Sequence, residues 1–208
     1  TQGSLALDSS LDGRITQLAA DQPRPIASVA KTMTALVTLE AKPIETAGSQ
    51  PNGPTYTITA HDVDLYHQAL AAGGSTASVS VGEVFTERQL LLALLLPSAN
   101  NLAETLALWV DGDRATFLER LNDRAAQLGM TRTHFDDPSG FSDKTVSTAA
   151  DLVRLGSAVL DNTVLAQVVA TKSAALPTGE TVTNLDSDLS HDGWLGIKTC
   201  LLYTSPSP

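Results

Sequence analysis

Ser28 precedes Lys31 by three positions, Ser98 precedes Asn100 by two, and Lys198 is followed directly by Thr199. These are residue types that carry out acyl transfer. A serine hydroxyl is a weak nucleophile until a base removes its proton, and on a helix a lysine three residues on lies on the same face, within reach. The lysine acts as a base only when neutral. That state is favoured by apolar neighbours, here Val29, Ala30 and Met33, and by a second cation, which Lys198 could supply. If Ser28 opens a helix, its unpaired backbone N–H can also donate to a developing oxyanion.

Ser98-Ala99-Asn100 follows Pro97 directly, so its hydroxyl and amide project from a turn. The hydroxyl can relay a proton to a leaving amine, and the amide can hold a substrate carbonyl. Lys198 and Thr199 end a strand-like run, from which a cation and a hydroxyl would suit a substrate carboxylate. Each group also has a bland reading. Ser-x-x-Lys arises by chance about once in a chain of this length at ordinary residue frequencies, Ser-x-Asn suits a helix cap, and Lys-Thr alone has almost no specificity. Their order along the chain, with no second Ser-x-x-Lys or Ser-x-Asn, favours the chemical reading.

The elements that must position these residues follow from the pattern. Ser4–Asp8 and Arg14–Leu18 read as two strands of a hairpin around Asp12-Gly13. Gln22–Pro25 is extended, because proline disfavours a helical residue before it. A buried helix is expected from Ser28 to Glu40, a loop over Ala41–Pro54 and a strand over Thr55–Thr59. Thr59 can cap a helix over His61–Ala71, and Thr86-x-x-Gln89 has the spacing of a capping box opening a helix that Pro97 stops after Leu96. Further helices are expected from Asn101 to Val110, over Arg114–Leu128 and over Thr148–Leu160, with strands returning at Thr171–Leu176 and Leu195–Thr199. The resulting class is α/β (α+β): an antiparallel sheet built from both ends of the chain, flanked by helices, with a helical lobe inserted over roughly residues 60–165.

Composition narrows the partners. The chain has 208 residues, 42% of them hydrophobic, which is ample for a packed core. Its net charge of −10, with no clustered Lys or Arg, argues against a nucleic-acid surface. The apolar run Leu90–Leu96 is far short of the roughly 20 residues that span a bilayer, and no basic-plus-apolar leader is evident. Cys200 is the single cysteine, and His61, His67, His134 and His191 lack metal-ligand spacing.

With its three motifs in this order, the chain resembles the D-alanyl-D-alanine carboxypeptidases, the low-molecular-weight penicillin-binding proteins, whose motifs are Ser-x-x-Lys, Ser-x-Asn and Lys-Thr-Gly. The resemblance extends through Arg24–Leu36, Leu94–Asn101, Thr133–Gly140 and Ser147–Leu152, and covers most of Ser4–Thr199. It implies the β-lactamase/D,D-peptidase fold, with Ser28 forming an acyl-enzyme and Lys31 as base. Ser98 and Asn100 would complete the proton path and substrate clamp, while Lys198 and Thr199 hold the terminal carboxylate. The implied substrate is a peptidoglycan stem peptide ending in D-Ala-D-Ala, with β-lactams acylating the same serine. No metal or organic cofactor is implied. The expected location is extracytoplasmic, after export, with membrane association only through segments this chain does not carry.

The match departs at the third motif, where Cys200 stands in place of glycine, and Leu201–Pro208 does not resemble the family's continuation. A glycine there lets substrate approach closely, and the next backbone N–H, here that of Leu201, is the family's second oxyanion donor. Residues 1–199 thus read as a peptidase domain lacking its final strands, and 200–208 as a tail translated from a sequencing adapter. Two other functions remain open. One is a non-catalytic penicillin- or peptidoglycan-binding module. The other is a class A β-lactamase, for which Glu180 and Asn184 have the deacylating Glu-x-x-x-Asn spacing but stand too near Lys198.

Overall fold

The computed structural model describes residues 5–8, 15–18, 22–45, 51–192 and 195–199. The expected Asp12-Gly13 turn and the segment 200–208 lie outside them. Strands β1 (Leu5–Asp8) and β2 (Ile15–Leu18) pair antiparallel, with Leu5 opposite Leu18 and Asp8 opposite Ile15, as expected of the opening hairpin. The two-residue strand β3 (Arg24–Pro25) then leads into a 3-10 turn, Ala27–Val29, and helix α1 (Ala30–Ala41). Prolines at 23 and 25 keep β3 short, because a proline cannot donate to a ladder.

Helix α1 is the centre of the molecule. Every residue from Ala30 to Leu39 is buried, so it has no solvated face. Strand β4 (Thr55–Thr57) pairs with β5 (Val84–Thr86), bracketing helix α2 (Ala60–Ala71). Both expected N-terminal caps form as full boxes. The Thr59 hydroxyl accepts from Asp62 N while Asp62 Oδ2 accepts from Thr59 N, and Thr86 and Gln89 do the same for helix α3 (Glu87–Leu95). Each such cap contributes roughly 1 kcal/mol.

Helix α4 (Asn100–Asp111) follows after a sharp turn, then α5 (Arg114–Gln127), opened by the Asp113 side chain accepting from Ala115 N and Thr116 N. Strand β6 (Val146–Ser147) returns to pair with β3, Arg24 opposite Ser147. Helix α6 (Ala149–Asp161) packs on the β1–β2 hairpin, and α7 (Thr163–Val169) leaves it at 106°. Helices α1, α3 and α4 pack on one another, and α5 and α6 close over α1. Leu36, Leu90, Leu94, Leu102, Leu106, Phe117 and Phe135 fill the space between these elements. Among the described residues no single helix is long and apolar enough to cross a membrane.

The strand expected over Thr171–Leu176 is found as β7 (Ser173–Ala175), paired with β8 (Thr181–Thr183). The one expected over Leu195–Thr199 is not: these residues run without a ladder partner among the described residues. Gly196, at φ +85°, breaks the extended run that a strand requires. The ladders present are separate two-stranded antiparallel pairs.

Candidate active site

Ser28 lies in the 3-10 turn and Lys31 in the first turn of α1, so the three-residue spacing becomes a contact, with Lys31 Nζ 3.1 Å from Ser28 Oγ. Lys31 is 0% exposed, a rare state for a lysine. Its Nζ also donates to the carbonyl of Ser139, at 2.8 Å. When the amine is neutral, that carbonyl can take one N–H while the lone pair faces the Ser28 hydroxyl. Among the described residues, no acceptor takes the backbone N–H of Ser28, which therefore stays available to an oxyanion.

The turn is held under backbone strain. Ala27, directly before Ser28, has φ +44°, a left-handed value that residues with a Cβ rarely adopt. Gly140 makes the turn possible: a Cβ there would lie 1.8 Å from the Ala27 carbonyl oxygen. Ala27 and Gly140 thus meet backbone to backbone.

Ser98 has the second non-glycine left-handed conformation, φ +66°, in the turn between α3 and α4. Its hydroxyl is buried and has no hydrogen-bond partner among the described residues. A buried, unsatisfied hydroxyl costs about 1–3 kcal/mol, so it stands out as a group kept for something other than folding. Asn100 begins α4. Its backbone N–H donates to Ser75 O at 2.7 Å, and its side-chain amide lies over the bare Cα of Gly74, where a Cβ would come within 2.5 Å of Nδ2. Next to it, the Asn101 side chain accepts from Ala77 N and donates to Ala77 O, fixing residues 75–77 along the start of α4. Helix α1 packs on both α3 and α4, the two helices that flank the turn bearing Ser98.

Lys198 and Thr199 stand in the irregular segment rather than on a strand edge, with Lys198 Nζ donating to the Thr199 carbonyl at 2.9 Å. Gly196 sits against Val169 O at the end of α7 and Ile197 against Gly156 of α6, so this segment is seated on the α6–α7 pair. Glu180 and Asn184 have structural partners. Glu180 accepts from the Ser78 hydroxyl, and the Asn184 amide donates to the carbonyls of Val169 and Thr171.

Sequence reasoning assigned no role to the turn Asp137–Phe141, yet it touches Lys31 and the residues around the Ser28–Lys31 pair at several points. Pro138 O accepts from the Thr34 hydroxyl and Ser139 O from Lys31 Nζ, two donors three residues apart on one face of α1. The Asp-Asp-Pro-Ser-Gly string at 136–140 signals a tight turn, but nothing in it names the lysine it will meet.

An α/β chain with a half-buried serine on a wholly buried lysine at the head of its central helix has the fold of the penicillin-recognising D,D-peptidases. The crystal structure of a Streptomyces DD-transpeptidase superposes on it with a TM-score of 0.81 at 30% identity, covering 97% of this chain and 80% of that one. A D-alanyl-D-alanine carboxypeptidase from Mycobacterium tuberculosis gives 0.80 at 30% identity, covering 96% and 72%. The chain belongs to the D-alanyl-D-alanine carboxypeptidase family, whose model matches residues 5–199. Among curated relatives, a Mycobacterium tuberculosis D-alanyl-D-alanine carboxypeptidase is 35% identical over 182 residues, 84% of this chain and 57% of the relative. A Streptomyces D-alanyl-D-alanine carboxypeptidase is 30% identical over 199 residues, 92% of this chain and 64% of the relative. The chain thus spans less than two thirds of the length of either.

Proposed function

We propose that this chain carries the active site of a serine-type D-alanyl-D-alanine carboxypeptidase. Its substrate is a peptidoglycan stem peptide ending in D-Ala-D-Ala. Ser28 Oγ attacks the carbonyl of the penultimate D-alanine as neutral Lys31 takes the hydroxyl proton, and the oxyanion is received by the Ser28 N–H. Ser98 passes a proton to the leaving D-alanine amine, Asn100 holds a substrate carbonyl, and Lys198 with Thr199 holds the terminal carboxylate. Water then hydrolyses the acyl-enzyme. A β-lactam enters the same step, its ring opening on Ser28. The substrate is a cell-wall peptide, so the protein acts outside the cytoplasmic membrane after export. Residues 1–199 form the peptidase domain, its helical lobe spanning about 60–165, a reading supported by the run of helices α2 to α6.

The observation that carries this reading is the contact between a wholly buried lysine and the Ser28 hydroxyl at 3.1 Å, which is the nucleophile-and-base geometry an acyl transfer needs. The test is covalent labelling by a fluorescent penicillin, paired with release of D-alanine from a peptide ending in D-Ala-D-Ala. The chain takes up one label, and Ser28→Ala takes up none. Label retained in Ser28→Ala would place the nucleophile elsewhere and end the proposal.

A further inference from the structure

We propose that Asp137 is a positioning residue for the Ser28–Lys31 pair, its carboxylate fixing at once the carbonyl that holds Lys31 and the strand that delivers Ser28. The inference rests on the functional reading above, in which those two residues are nucleophile and base.

Asp137 is buried and accepts four hydrogen bonds. Its Oδ1 takes the Thr145 hydroxyl at 2.6 Å, and its Oδ2 takes Ser139 N at 3.2 Å, the Ser139 hydroxyl at 2.6 Å and Phe141 N at 2.8 Å. The three donors on Oδ2 come from the residues on either side of Gly140. They curl the turn so that Ser139 O points at Lys31 Nζ while the bare Cα of Gly140 meets Ala27 O. The donor on Oδ1 reaches the other half of the pair. Thr145, wholly buried, spends its hydroxyl proton on Asp137, and its carbonyl accepts from Ile26 N at 3.1 Å, two residues before Ser28. Its hydroxyl oxygen also accepts from the backbone N–H groups of Asp136 and Asp137, which ties the carboxylate's own backbone to the same hydroxyl.

The chemistry of the site selects a carboxylate. Four donors converge, and a carboxylate presents two oxygens that only accept. An asparagine of the same size would satisfy one side and turn its own N–H groups on the donors of the other. An alanine would take this acceptor from the Thr145 hydroxyl and from the Ser139 N–H and hydroxyl in a buried place, and leave Phe141 N–H only its 3.2 Å contact with Ser139 Oγ. Asp137 reaches Lys31 through Ser139, and Ser28 through Thr145 and the Ile26–Ala27 backbone, so loss of the carboxylate changes where the base and nucleophile sit without removing either.

The experiment follows acylation of the 208-residue chain by a fluorescent penicillin over a range of concentrations, which separates the dissociation constant of the initial complex from the acylation rate constant. Asp137→Ala is expected to lower the rate constant about 100-fold while the dissociation constant changes less than about threefold, because displacements near 1 Å in an active site have effects of that size. Asp137→Asn keeps the shape and half of the acceptors, and falls between Asp137→Ala and the parent. It also serves where the alanine variant does not fold, as judged by circular dichroism. A folded variant whose acylation rate constant equals the parent's overturns the proposal, as does a loss confined to the initial complex. A crystal structure of Asp137→Asn answers independently of activity. A Ser139 carbonyl drawn away from Lys31 supports the proposal, and an unchanged 2.8 Å contact overturns it. Should the parent itself take no label at Ser28, the functional reading fails, and the crystal structure alone decides whether Asp137 positions Lys31.

Discussion

Replacing Gly140 by alanine should damage both folding and acylation, in proportions that follow from one contact. The new Cβ would lie 1.8 Å from the carbonyl oxygen of Ala27, where real Cβ contacts are essentially never under 3.0 Å, so one backbone must retreat by more than an ångström. Neither neighbour is a flexible side chain. The position also holds φ +76°, which costs a residue with a Cβ about 1–2 kcal/mol. Relieving the overlap adds about 1–3 kcal/mol, the usual range for overpacking. The expected destabilisation is therefore about 2–5 kcal/mol, read as a fall in urea midpoint at constant slope, or about 5–15 °C in melting temperature. Because the retreating group directly precedes Ser28, the penicillin acylation rate should fall about 100-fold even where the variant is fully folded. A Gly140→Ala variant within about 0.5 kcal/mol of the parent and acylating at its rate would refute the claim that backbone contact at Gly140 holds the nucleophile's turn.

Three further perturbations test other parts of the site. Ser98→Ala removes a buried hydroxyl that has no hydrogen-bond partner among the described residues, so it should leave stability unchanged or slightly raised while slowing acylation; a loss above about 1 kcal/mol in urea unfolding would contradict the unsatisfied state. In Gly74→Ala the new Cβ meets the end of the Asn100 side chain, which can swing aside, and lies 3.2 Å from the Ala69 carbonyl, which must give by a few tenths of an ångström, so D-alanine release should weaken through KM with only a small fall in melting temperature. Burial pushes the Glu87 carboxyl from 4.5 up to about 8, with Lys42 pulling partly back. The folded state therefore holds more protons than the unfolded state between those values. Stability should fall by a few kcal/mol as pH rises through that window, and Glu87→Gln should flatten the fall in urea titrations at pH 5 and pH 8.

What was legible in the sequence was local. Ser28 and Lys31 could be paired because three residues make nearly one helical turn, and the caps at Thr59 and Thr86 announced themselves by side chains that bond their own backbone. Helix α7 was not foreseen, because Thr163–Val169 is short, apolar and rich in valine, and its period does not separate helix from strand. The strand expected at Leu195–Thr199 failed on Gly196, whose positive φ a composition of Leu, Ile and Thr does not reveal. The left-handed residues Ala27 and Ser98 carry no local signal either, and the conformation of Ala27 depends on the bare Cα of the distant Gly140. Asp137 was invisible for the same reason. Its identity suggests a turn, but its importance lies in which carbonyl that turn presents, and to which helix.

The bond from Lys31 Nζ to the Ser139 carbonyl joins residues 108 positions apart. During refolding, α1 can form by itself in about a microsecond, but its lysine is not aimed until the chain has closed a loop of that length, and contacts of long sequence separation are slow to form. Penicillin labelling is accordingly a clock for late folding. In a refolding time course, helical ellipticity should recover well before the chain becomes able to take up label, and the lag between the two signals measures how long the catalytic pair waits for its distant carbonyl.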